Sequence, residues 1–186
     1  MVFLLTRFPA TWGIILILIT LHCVALIRPQ WVDPLWQRKE GGLGIRLLMA
    51  PWIHRTNRWG RWGHILGNIL PLTLIGSSLE GLCGGLPLAG LALLTALPLV
   101  WLTTRCFGGY GCGYSGVVCA LAAFSLPLQW AAQSPLFWFS VLYVSLMVGF
   151  ALWSWIRGHW ICQHTQQLHG GHLIGVILGA LPPLIL

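Results

Sequence analysis

Six stretches of this chain, about residues 12–27, 64–79, 86–104, 114–132, 136–156 and 171–186, contain no Asp, Glu, Lys or Arg. A helix that crosses the roughly 30 Å hydrocarbon core of a bilayer needs about 20 predominantly apolar residues. Each stretch therefore supplies a span or most of one. In lipid a strand edge or loop leaves backbone N–H and C=O groups unpaired, whereas a helix satisfies them within the segment. The fold class that follows is an all-α membrane protein: a six-transmembrane-helix bundle forming a single domain over residues 1–186. Composition agrees, because only 7% of the residues are charged, against about 25% in soluble domains. Pro71, Pro98, Pro127 and the pair Pro182 and Pro183 fall inside the stretches, where packed neighbouring helices tolerate them. Residues 1–27 lack a small-x-small cleavage signal followed by a mature domain, and are expected to stay as a span.

The long connection 28–63 is of another kind. It holds seven of the ten basic residues (Arg28, Arg38, Lys39, Arg46, Arg55, Arg58, Arg61) and five tryptophans (Trp31, Trp36, Trp52, Trp59, Trp62). Trp and Arg together mark the membrane–water boundary, so 44–63 is expected to lie among the headgroups in contact with membrane lipid. The net charge of +7 sits beside membrane spans rather than on a soluble face, so no nucleic acid is expected as a partner.

The acid count narrows the chemistry. Asp33, Glu40 and Glu80 are the only carboxylates. A glycosidase needs a carboxylate pair and a zincin needs His-Glu-x-x-His, which is absent. Acid–base work must fall to the seven histidines, His22, His54, His64, His159, His164, His169 and His172. His159, Cys162, His164, His169 and His172 cluster near the last connection, but their spacing matches no ordinary zinc pattern. No metal and no cofactor is expected. Cys106 and Cys112 flank a Gly-rich turn and could be bridged if that loop faces an oxidising compartment.

Polar residues inside spans are costly and mark working sites. The second stretch opens with His64 and, four residues on, Asn68, which share a helical face and can donate hydrogen bonds toward one point. The fourth opens Gly113-Tyr-Ser-Gly116, a serine flanked by glycines that let backbones approach. In the sixth, His172, Gly175 and Gly179 share a face, and the glycines invite a second helix to pack closely. Ser115 as nucleophile, His172 as base, and His64 with Asn68 as oxyanion donors make up the parts of an acyl-transfer site. With no acid placed to orient His172, a Ser-His dyad is expected rather than a triad.

These motifs and their spacing resemble the rhomboid family of intramembrane serine proteases, in its minimal six-span form. The family pattern of an Arg followed eight residues later by His reads here as Arg46 and His54, ahead of His64 and Asn68. Gly76, Glu80 and Gly84 continue it, followed by Gly113 to Gly116 and by His172, Gly175 and Gly179. The resemblance implies a serine endopeptidase that cleaves single-span transmembrane protein substrates near the membrane surface, in a cavity between spans two and five. It implies Ser115 and His172 as the dyad, and His64, Asn68 and the Ser115 amide as the oxyanion hole. It makes Arg46 and Glu80 structural anchors, with His54 bracing the first loop.

Two departures stand out. Nine residues separate His54 from His64, which reads as an insertion at 55–63. The aromatic usually found four residues after the serine, against the dyad histidine, is Cys119 here, so another group must hold His172. Orientation carries a conflict as well. The resemblance implies a bacterial inner membrane with the active site opening to the periplasmic side, yet the odd-numbered loops hold nine of the ten basic residues, which positive-inside reasoning would put in the cytoplasm. Two further readings stay open. One is a rhombosortase, which would process C-terminal Gly-rich sorting tails of exported proteins. The other is a rhomboid-like protein that binds transmembrane clients without cutting them.

Overall fold

The computed structural model describes residues 6–35, 44–54, 62–107, 113–157 and 169–185, and every regular element among them is helical. Six long helices carry the fold: α1 Pro9–Ile27, α2 Gly63–Cys83, α3 Gly85–Phe107, α4 Ser115–Ala131, α5 Phe137–Ile156 and α6 His169–Ile185. Four of them, α1, α2, α3 and α5, are long and apolar enough to cross a membrane. The other two are shorter, and α4 is the most enclosed of the bundle, with Gly116 through Ala123 all buried. Pro71, Pro98 and Pro127 each sit within a continuous helix, because packed neighbours stand in for the lost backbone bond.

Each helix reveals its neighbours by what it buries. α1 buries Thr11, Ile14, Ile15, Leu18, His22 and Ala25, one stripe at helical spacing, and lays it chiefly on α2. α5 buries only Ser140, Ala151 and Ser154 while exposing Trp138, Leu142, Leu146, Phe150 and Trp153. In water such a face would be a large penalty. Against acyl chains it costs nothing, so α5 reads as a peripheral helix.

α6 packs chiefly on α4, and the sequence dictates how closely. A Cβ on Gly175 would collide with the Gly116 carbonyl, and one on Gly179 with the Ala120 carbonyl. A Cβ on Gly116 would stand 2.6 Å from a Leu99 methyl and 3.1 Å from the Gly171 carbonyl. The small-residue face expected on α6 therefore meets the first turns of α4 backbone to backbone.

At the other end of α2, Glu80 lies buried inside the helix rather than ending it. Its carboxylate accepts from Ala10 N (2.9 Å), Thr11 N (2.8 Å) and Thr11 Oγ1 (2.7 Å). The first N–H groups of α1 have no intrahelical acceptor, and an anion there also complements the helix dipole. Glu80 thus pins α1 to α2. Close by, a Cβ on Gly76 would press on Thr11 at 3.0 Å. Gly84 follows α2 at φ +92°, its N–H bonded to the Glu80 carbonyl at 2.9 Å.

The first connection is folded where it is described. Short helices at Pro29–Val32 and Gly44–Met49 precede a turn at Ala50–Trp52, and Val32 and Ile53 pack with Ala25 as a small second core. Arg46 falls in the second short helix, but its side chain lies outside the described residues, as do 36–43 and 55–61 of this connection. Cys112, His159, Cys162 and His164, named above for a bridge or a metal, also lie outside them.

Removing the Glu80 carboxylate strips three charge-assisted bonds from a buried helix start. Glu80→Ala is expected to lower unfolding free energy in mixed micelles by about 2–4 kcal/mol, and Glu80→Gln, which keeps an acceptor, by less. An Ala variant as stable as wild type would contradict this anchoring role.

Candidate active site

Ser115 is the first residue of α4, and His172 stands one turn into α6. Because the Gly116–Gly175 contact leaves no side chain between the two backbones, His172 Nε2 comes within 3.0 Å of Ser115 Oγ. The two residues that the sequence paired are thus in hydrogen-bond contact across 57 positions of chain. His172 is buried, and its Nδ1 has no hydrogen-bond partner among the described residues. Glu80, the carboxylate nearest in sequence, is committed to the start of α1.

Gly113 shapes the approach to the serine. Its φ of +97° is open to glycine and strained for other residues. A Cβ there would also meet His64 Cε1 at 3.0 Å. Its N–H donates to the Ala50 carbonyl at 3.1 Å, so the first connection holds the strand of chain that delivers Ser115. Trp52 packs on the buried Tyr114 ring at 5.0 Å between centroids.

His54 links three parts of the site. Its Nε2 receives Asn68 Nδ2 at 2.9 Å and the Tyr114 N–H at 3.3 Å. Asn68 Nδ2 also donates to the His64 carbonyl at 2.9 Å, which fixes which end of the carboxamide is nitrogen. An atom facing that nitrogen must be an acceptor, so His54 Nε2 is unprotonated and its proton sits on Nδ1. The surroundings favour that neutral form: burial, and then charge on neighbouring His64 and His22, hold the His54 pKa well below the usual histidine range.

Asn68 is therefore placed differently from a ready oxyanion donor. Both its amide hydrogens are engaged, and Oδ1 is its unpartnered atom among the described residues. The side chain borders the cavity but donates away from it. The Ser115 amide belongs to the first turn of α4, where N–H groups lack intrahelical acceptors and no side chain caps the helix.

A cavity of about 440 Å³ opens beside Ser115 and His172. Gly63, His64, Gly67 and Asn68 of α2 line one wall; Tyr143, Met147, Phe150 and Trp153 of α5 line the other. α2 and α5 are hardly packed on each other, and a Cβ on Gly63 or Gly67 would meet open space. Cys119, one turn beyond Ser115, is fully buried, with the α6 backbone at Gly175 against it.

Two histidines near the site were assigned no place in the site by the sequence motifs. His22, fully buried in α1, meets His54 edge-on at 6.4 Å and Trp62 at 5.1 Å. An imidazole in the middle of an uncharged span was the available signal. His169 meets His172 edge-on at 5.5 Å, and its position one turn before His172 on the same helix was visible.

The Rhomboid domain family model matches residues 43–186, from the first connection to the end of the chain. The chain belongs to the rhomboid family, whose members are generally intramembrane serine proteases. It is an integral membrane protein. No curated protein matches it.

The buried neutral His54 has a pH consequence. An unfolded histidine titrates near about 6.5. Because the folded value lies lower, the unfolded state binds more protons as pH falls, so this contribution is flat above that value and stability drops below it. Between about pH 7 and 5, His54→Gln is expected to lose stability less steeply than wild type when unfolded in micelles. Equal slopes would contradict a neutral, buried His54.

Proposed function

We propose that this chain is an intramembrane serine endopeptidase, one six-span domain over residues 1–186, that cleaves single-span transmembrane protein substrates near the membrane surface. The observation that carries the proposal is the 3.0 Å contact between Ser115 Oγ and His172 Nε2 at the edge of a cavity bordered by α2 and α5. A serine bonded to a base beside open space is the geometry of an activated nucleophile.

An unwound stretch of substrate enters between α2 and α5. Ser115 Oγ attacks a backbone carbonyl carbon while His172 Nε2 takes the hydroxyl proton. The tetrahedral intermediate carries its negative charge on the former carbonyl oxygen. The Ser115 N–H at the start of α4 and the His64 ring beside Gly113 are the donors nearest to hand. Asn68 joins them by trading its bond to His54 for one to the oxyanion. Collapse breaks the C–N bond, and His172 returns its proton to the leaving amine. Water entering the cavity then gives a proton to His172 and attacks the acyl-enzyme ester; the ester C–Oγ bond breaks, His172 passes that proton to Ser115 Oγ, and the new carboxyl end is released. Gly116, Gly175 and Gly179 keep the backbones close enough for this pairing and Gly113 shapes the turn before the serine, while Glu80, Arg46 and His54 serve as structural supports. The site is proposed to open to the outer face of a bacterial inner membrane.

The non-catalytic client-binding reading is disfavoured because both reacting side chains are present and bonded to each other. The sorting variant differs from the general one only in substrate.

Membranes carrying wild type are expected to cut a tagged single-span substrate from a panel that includes a Gly-Gly-tailed member. Ser115→Ala and His172→Ala are expected to cut none, and Asn68→Ala to retain cleavage slowed by about 10²- to 10³-fold. Preference for the Gly-Gly tail would assign the sorting variant. Equal cleavage by all the variants would remove the assignment.

A further inference from the structure

The proposed base lacks the usual means of orientation. In a serine triad an acid bonded to Nδ1 fixes the imidazole, but His172 Nδ1 has no partner among the described residues. On the α4 side the next positions are Gly116 and Cys119, too small to brace a ring. What does meet the His172 ring is another imidazole. His169, one turn earlier on α6, presents itself at 5.5 Å between centroids and 66° between planes, within the range of favourable edge-to-face pairs. His169 is in turn stacked on Phe150 of α5, at 6.0 Å and 27°.

We infer that His169 is a positioning residue: clamped by Phe150, it sets the rotamer in which His172 bonds Ser115. The inference rests on Ser115 and His172 being the reacting pair, but goes beyond it by naming what orders the base. The relay Phe150–His169–His172 crosses from α5 to α6, and all three side chains border the cavity. Since α5 forms the outer wall there, its placement reaches the base through one stacked ring. A substrate seated against Phe150 would tighten or loosen the same stack, so the relay ties cavity occupancy to readiness of the base.

The role belongs to an aromatic ring and not to a titrating group. His169→Phe keeps a ring to stack on Phe150 and an edge for His172, whereas His169→Ala and Phe150→Ala break the relay at its two joints. The test uses the full chain in micelles with ¹⁵N-labelled histidine, reading the His172 Nε2 signal, which reports its bond to Ser115. Cleavage of the best substrate in the panel is followed in parallel. Both Ala variants are expected to move and broaden that signal and to lower kcat about three- to tenfold, with KM little changed in His169→Ala. His169→Phe is expected to restore both, which a role in proton transfer by His169 would not allow.

A His172 signal and a kcat in His169→Ala equal to wild type would overturn the inference. So would failure of His169→Phe to recover either readout while it folds as wild type does. If wild type cuts no substrate but the signal pattern follows the relay, the protease reading fails and the positioning role stands.

Discussion

The backbone contact between α4 and α6 is the constraint on which the site depends. Gly116, Gly175 and Gly179 let the two helices approach until carbonyls of α4 fill the places where Cβ atoms of α6 would be. In lipid no hydrophobic effect drives helices together, so dispersion and close fit between small residues must do so. That proximity brings Ser115 and His172 to 3.0 Å. A side chain at Gly175 would meet the Gly116 carbonyl and force the two helices apart. The pairing of the proposed nucleophile and base is thus a by-product of how α4 and α6 pack.

Around that contact the polar atoms divide into those that build the site and those left open for chemistry. His54 Nε2 gathers Asn68 and the Tyr114 amide, and Ala50 receives Gly113, so the first connection grips the turn that presents the serine. Far away on α2, Glu80 does the same for the start of α1. Each of these groups is buried and bonded, as the cost of an unpaired polar group in an apolar interior requires. Several buried polar atoms have no partner among the described residues, and three of them, Asn68 Oδ1, His169 Nδ1 and His172 Nδ1, belong to side chains that line the cavity. In the proposed mechanism the bond that ties Asn68 to His54 is one that catalysis exchanges.

Much of this was legible in the sequence because uncharged stretches and helical spacing are local signals. The long helices begin and end near the edges of the apolar stretches, and the meeting of Ser115 with His172 followed from residue types and register. α2 runs past Glu80 to Cys83, its buried carboxylate satisfied by three donors of α1. The commitment of Asn68 could not be read, since spacing puts His64 and Asn68 on one face but cannot say that His54 captures the amide. Nor could the substitute for the missing aromatic: Cys119 showed that something else must hold His172, and only packing shows that His169 on Phe150 reaches it.

The most direct measurement treats the full chain in membranes with a fluorophosphonate, which phosphonylates an activated serine, and maps the adduct by peptide mass spectrometry. The expected result is modification of Ser115, lost in His172→Ala and in Gly175→Val, the second of which removes neither reacting side chain. Modification of Ser115 that persists undiminished in both variants would contradict the claim that this helix contact creates the nucleophile.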